Sequence, residues 1–214
     1  MFRIFITLLI AGLFAFEARA DGPVLVELFA AKSCFASPRA NKLLSKVSET
    51  REDVQVLTWP VDYWDYLGKE PLALDESNDR QRAYVDRFGL RGPYTPQTVF
   101  NGKTQSVGSR TELVLDNIDA AGQTSPSGVE LANTAGGISI SGPEGAEGDV
   151  YIIHYLQGES NPSRMINPVS EVKRLLYWAG EDLRIDASIC HGSCVVVVQE
   201  RGFGKVLATM RLPR

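Results

Sequence analysis

The chain has 214 residues, of which 44% are hydrophobic and 22% charged, and a formal net charge of −4. That length suffices for one large domain or two small ones with real cores. The mild acidity excludes the basic footprint that nucleic-acid binding needs, and the three cysteines, an odd number, cannot all pair within one chain.

Arg3 gives the N-terminus a positive start, Ile4 to Phe16 is an apolar run of thirteen residues, and Ala18-Arg19-Ala20 offers a small-x-small cleavage site before Asp21. This pattern predicts a removable signal peptide over residues 1–20 and export to the periplasm or the medium. The run is short for a membrane span and no cysteine follows the cleavage site to carry a lipid, so no stable membrane span is expected after processing. A retained anchor is the lesser reading. Losing Arg3, Glu17 and Arg19 together moves the formal charge from −4 to −5. Export implies an oxidising compartment, in which disulfides persist.

From Val24 to Ala30 the residues, Glu27 apart, are apolar and β-favouring, and from Ser37 onward Leu43, Leu44 and Val47 fall at helical spacing. The unit reads as strand, turn and helix. Cys34 lies in the turn, and Pro38 stands where an early-turn proline is tolerated, because its missing N–H has no partner there anyway. Unpaired N–H groups and the positive end of the helix dipole favour a thiolate at this place, with Lys32 and Arg39 adding positive charge. The plainer reading is a small buried hydrophobe. The polar neighbours Lys32, Ser33 and Arg39 instead predict a partly wet, reactive thiol.

Val54 to Thr58 reads as a second strand, followed by the aromatic patch Asp62-Tyr63-Trp64-Asp65-Tyr66. The aromatics are expected to pack the loop against the core. Asp62 reads equally as a turn residue or as a carboxylate beside Cys34 that tunes its ionisation. Glu76 to Phe88 is a polar helix with Gly89 as its stop, and Arg80, Arg82 and Arg87 read as its solvated face. A strand over Gln97–Phe100, the hairpin dipeptide Asn101-Gly102 and a return over Thr104–Val107 come next. Ser109 with Glu112 makes a capping-box pattern for a helix that runs to about Ala121.

Gln123 to Gly128 is turn-rich and marks a boundary. Beyond it the pattern becomes β: alternation in Gly137–Ser141, a glycine-rich turn, then Val150–Leu156, Leu183–Ile185, Val195–Gln199 and Lys205–Leu212, interrupted by a helix-like piece over Val169–Trp178. The division expected is residues 21–124 as an α/β domain and 125–214 as a smaller, mostly β domain. Cys190 and Cys194 flank His191-Gly192-Ser193 and are read as a short-loop disulfide that leaves Cys34 unpaired. The alternatives are that all three cysteines are free, or that Cys34 pairs with one of the distant two. A zinc or copper site of His191 with these cysteines has no matching signature, and His154 reads as a structural strand histidine. No metal and no cofactor is expected.

The residues Val26-Glu27-Leu28-Phe29, Cys34 with Pro38, Val61-Asp62-Tyr63-Trp64-Asp65, Arg80-Gln81-Arg82-Ala83-Tyr84 and Tyr94-Thr95-Pro96-Gln97, in that order, resemble an exported bacterial thioredoxin-like family catalogued as a domain of unknown function, DUF1223. The resemblance implies a thioredoxin-like sheet flanked by helices in the first half. It also implies a cis Thr95–Pro96 peptide that lies against the Cys34 sulfur and, with it, forms the wall that holds a substrate segment. Family members commonly carry Cys-x-x-Cys-Pro, whereas this chain has Cys34-Phe35-Ala36-Ser37-Pro38. Ser37 can stabilise a thiolate through its hydroxyl, but it cannot resolve a mixed disulfide. Two functions are therefore weighed: monothiol exchange at Cys34 with protein or small-thiol substrates, and a non-catalytic binding or scaffolding protein that keeps the fold.

Overall fold

The computed structural model describes residues 22–124 and 126–212. The segment 1–20, expected to be a signal peptide, lies outside these residues, as does Ser125 within the expected boundary.

The first half supplies β1 (Val24–Ala30), α1 (Ser37–Thr50), β2 (Val54–Pro60), α2 (Asp75–Arg87), β3 (Gln97–Phe100), β4 (Thr104–Val107) and α3 (Thr111–Gly122). Its strands form a mixed sheet in the order β2-β1-β3-β4, with β1 parallel to β2 and antiparallel to β3. Both faces of β1 and β2 are buried, which explains their near-continuous apolar character. One face, carrying Val24, Val26 and Leu28, packs under α1 and α3. The opposite face, carrying Leu25 and Phe29, meets Tyr84 of α2 and the second half of the chain. Asn101 and Gly102 both take positive φ, as the β3–β4 hairpin requires of its two central residues.

The second half supplies β5 (Glu130–Thr134), β6 (Gly137–Ser141), β7 (Gly148–Tyr155), β8 (Val169–Trp178), β9 (Leu183–Ile185), β10 (Ser193–Gln199) and β11 (Val206–Leu212). They make two sheets, β11-β10-β7-β8 and β5-β6-β9. Period-two alternation sorts β7 and β10 by face. Tyr151, Ile153, Val195 and Val197 pack toward the first sheet, and Val150, Ile152, Val196 and Val198 pack toward the three-stranded one. The halves therefore share a core. They are also joined at an edge: Thr58 bonds Ile166 and Asn167, Asn167 bonds Val56, and Asn41 of α1 bonds both Arg164 and Ile166. Among the described residues no helix is long and apolar enough to cross a membrane.

Four expectations are corrected. Val169–Trp178 is a strand, paired along its length with β7, and not a helix. The pairing skips Ser170 and Leu175, so two bulged residues break the alternation that would have marked a strand. The Ser109–Glu112 capping box does not form, because α3 starts one residue later with Arg110 at its N-cap and no side-chain cap. Arg80 is not on a solvated face: it is 1% exposed. Cys34, expected in a wet turn, is 4% exposed. The sequence reading also missed β5, whose residues are largely exposed and carry little apolar pattern.

Candidate functional site

β1 delivers the chain into the turn that precedes α1, and Pro38 sits in the first turn of that helix. The turn is fastened from the loop after β2. The Lys32 N–H donates to the buried Glu70 carboxylate at 2.8 Å, and the Ser33 hydroxyl donates to the Gly68 carbonyl at 2.9 Å. Cys34 is thereby held inward against the core, while its neighbour Phe35 is fully exposed. The Cys34 thiol donates to the Thr95 carbonyl at 3.5 Å, and the Thr95–Pro96 peptide is cis.

Burial is the largest influence on the Cys34 thiol and pushes its pKa up, but it is outweighed. The hydroxyls of Ser37 and Thr95 and the backbone N–H groups of Ala36 and Ser37 favour the charged form and bring the pKa below that of an ordinary thiol. Ser37 Oγ is buried and closes no hydrogen bond in the resting arrangement, so its O–H is available to turn onto the sulfur as charge develops there. Trp64 donates its indole N–H to Thr95 Oγ1 at 2.7 Å. An indole can only donate, so Thr95 must accept from it and keeps its own O–H for the sulfur. Tyr63 lies in the same shell. Burial, followed by smaller influences that include Cys34 itself, pushes its phenol up to about 12.

The cis-proline loop is held from α2. Gln81 Nε2 donates to the Tyr94 carbonyl and to Gln97 Oε1, each at 2.9 Å. One residue earlier on α2, Arg80 forms a buried ion pair with Glu27 of β1 at 2.5 Å and donates to Gln199 of β10 at 2.8 Å. Its guanidinium lies 4.9 Å from the ring centroids of both Trp59 and Phe203. Burial works against its charge, and the adjacent Glu27 carboxylate overrides that and keeps it protonated. Tyr84 donates to the other Glu27 oxygen at 2.6 Å. This cluster stands behind the thiol site as a brace between the two sheets.

A family model described as "Protein of unknown function (DUF1223)" matches residues 25–166, about two thirds of the chain. The chain belongs to the DUF1223 family. Among solved structures it is similar to protein AGR_C_4864 from Agrobacterium tumefaciens, with 27% identity and a TM-score of 0.75 over 91% of this chain and 96% of that one. It is also similar to HBP35 of Porphyromonas gingivalis, with 11% identity and a TM-score of 0.53 over 92% of this chain and 76% of that one, a likeness of fold alone. None of the curated proteins matches this chain.

In this DUF1223 chain the structure gathers Cys34, Ser37, Thr95 and Pro96 in one place and leaves Asp62 on the exposed side of its loop, where its carbonyl accepts from the Asp65 N–H. Cys190 and Cys194 are disulfide-bonded, and among the described residues Cys34 is the free thiol. Beside the Cys34 turn, Lys32, Ser37, Pro38 and Lys42 face Arg164 and Met165 across a groove of about 680 Å³. Sequence reasoning missed the positioning roles of Trp64 and Gln81. The signal was present in the nearness of Trp64 to Asp62, but an indole in an aromatic patch carries no mark of the acceptor it will find.

Proposed function

We propose that the chain is an exported thioredoxin-like protein in which Cys34 performs thiol–disulfide exchange on protein or small-thiol substrates. The observation that carries this reading is the Cys34 sulfur at the start of α1, 3.5 Å from the Thr95 carbonyl and bordered by hydroxyl and N–H donors that lower its pKa. Supporting it are the sheet order β2-β1-β3-β4 and the position of Thr95–Pro96 opposite the thiol. In the reaction the Cys34 thiolate attacks one sulfur of a substrate disulfide. A mixed disulfide forms, and the displaced sulfur leaves as a thiolate that takes a proton from solvent. Ser37 cannot attack in turn, so a thiol from a second molecule must release the product. The fully exposed Phe35 offers an incoming polypeptide an apolar contact beside the thiol.

A second reading is a binding protein on the same scaffold, favoured by the 4% exposure of Cys34. The alkylation rate of Cys34 against pH separates the two. Exchange requires reaction in the folded state with a midpoint below the ~8.5 of a free thiol, and a mixed disulfide that Cys34→Ser abolishes. Reaction only after unfolding, or at an ordinary midpoint, favours the binding protein.

A further inference from the structure

A second cluster of chemically capable side chains lies on the other half of the chain. In the β10-β7-β8 sheet, His154 of β7 stands directly between Cys194 of β10 and Glu171 of β8. The Cys190–Cys194 disulfide closes the loop that carries His191, and the His191 ring stacks on that of His154 with centroids 4.2 Å apart. Glu171 Oε2 is 3.5 Å from His154 Nδ1 and also 3.5 Å from His191 Nε2. The three ligand atoms lie within 4.8 Å of one another.

The geometry points to a divalent metal site formed by His154 Nδ1, His191 Nε2 and Glu171 Oε2, selective for zinc or a similar late transition ion. Two ligands of a tetrahedral zinc, each at about 2.1 Å, stand about 3.4 Å apart, which matches both histidine–carboxylate separations. His154 is 3% exposed; its Nε2 accepts from the His191 N–H at 3.4 Å, and its Nδ1, a buried polar atom 3.5 Å from the carboxylate, closes no hydrogen bond, so a metal there takes the place of the Nδ1 proton. Lys173 takes the other Glu171 oxygen at 2.8 Å, which fixes the carboxylate as a one-oxygen ligand. Two imidazoles and one carboxylate suit zinc, copper or nickel and not calcium or magnesium. His191 is 69% exposed, so the fourth position opens to water or to a partner's side chain.

The test is a chelator-competition titration with Zn²⁺ on the untagged chain, disulfide intact and carrying Cys34→Ser so that the thiol cannot contribute. One-to-one binding is expected, weakened at least tenfold by His191→Gln and by Glu171→Gln. Both positions are exposed enough that the metal-free melting temperature should stay unchanged, which separates ligand loss from unfolding. An absence of one-to-one binding, or the same affinity in both variants, overturns the site. So does calcium binding as tightly as zinc.

Discussion

Ser37 stands where a second thiol would allow the site to close its own disulfide, and its surroundings turn it into a donor. Its hydroxyl is enclosed beside the Cys34 sulfur, while Thr95 presents a second hydroxyl already oriented by Trp64. Both lower the thiol pKa against the opposing pull of burial. The attacking species is the thiolate, so a lowered pKa moves the rate–pH curve to lower pH and raises the rate at neutrality. Ser37→Ala and Thr95→Val are each expected to move the midpoint back up. At pH 7 each should slow alkylation roughly tenfold, since a hydrogen bond to a charged group is worth about 1.5 kcal/mol or more. Iodoacetamide kinetics between pH 5 and 10 read this directly, and unchanged profiles in both variants would remove the hydroxyls from the account.

At the scale of elements, α2 is tied to two strands from different sheets by one charge. Arg80 meets Glu27 of β1 and Gln199 of β10, inside a ring of aromatic side chains. Removing one partner strands the other in a water-free place, which costs roughly 3–5 kcal/mol, whereas replacing both with apolar residues of similar volume is much less harmful. Arg80→Met alone should therefore lower the urea midpoint sharply, and Arg80→Met with Glu27→Leu should recover most of the loss. Equal destabilisation by the single and double variants would argue against a desolvated pair. The same element explains a misreading of sequence. Arg80, Arg82 and Arg87 look alike along a polar helix, yet Arg82 is exposed beside Asp79 and Arg87 lies near Glu200, while Arg80 is enclosed. Residue type does not say which way a helix faces when apolar packing comes to it from two sheets.

For the molecule as a whole, the boundary near residue 125 separates sheets but not cores. Leu57, Trp59 and Val99 from the first half share a cluster with Ile153, Val195 and Val197 from the second. A chain ended after Thr124 would expose that face and leave Arg80 without Gln199. The full chain is expected to unfold in one cooperative urea transition, with circular dichroism and tryptophan fluorescence coincident, and the fragment ending at Thr124 to show no cooperative transition. Two resolved transitions, or a fragment that unfolds cooperatively, would mean that the halves fold independently.

The local units were legible in the sequence because short-range rules decide them. The near-continuous apolar run of β1, the turn ending in Pro38, the Asn101-Gly102 hairpin and the short Cys190–Cys194 loop each follow from backbone preference or chain closure over a few residues. The tertiary structure decided what depends on distant neighbours. It made β8 a strand by pairing it with β7 across two bulges that hid the alternation. It drew Thr95 to Cys34 over 61 residues, and placed Glu27 and Arg80 together over 53. It set His154, Glu171 and His191 side by side through strand register and a disulfide. Propensity and spacing act along the chain, whereas burial and pairing act across it, and the chemistry of a side chain is fixed by what is brought against it.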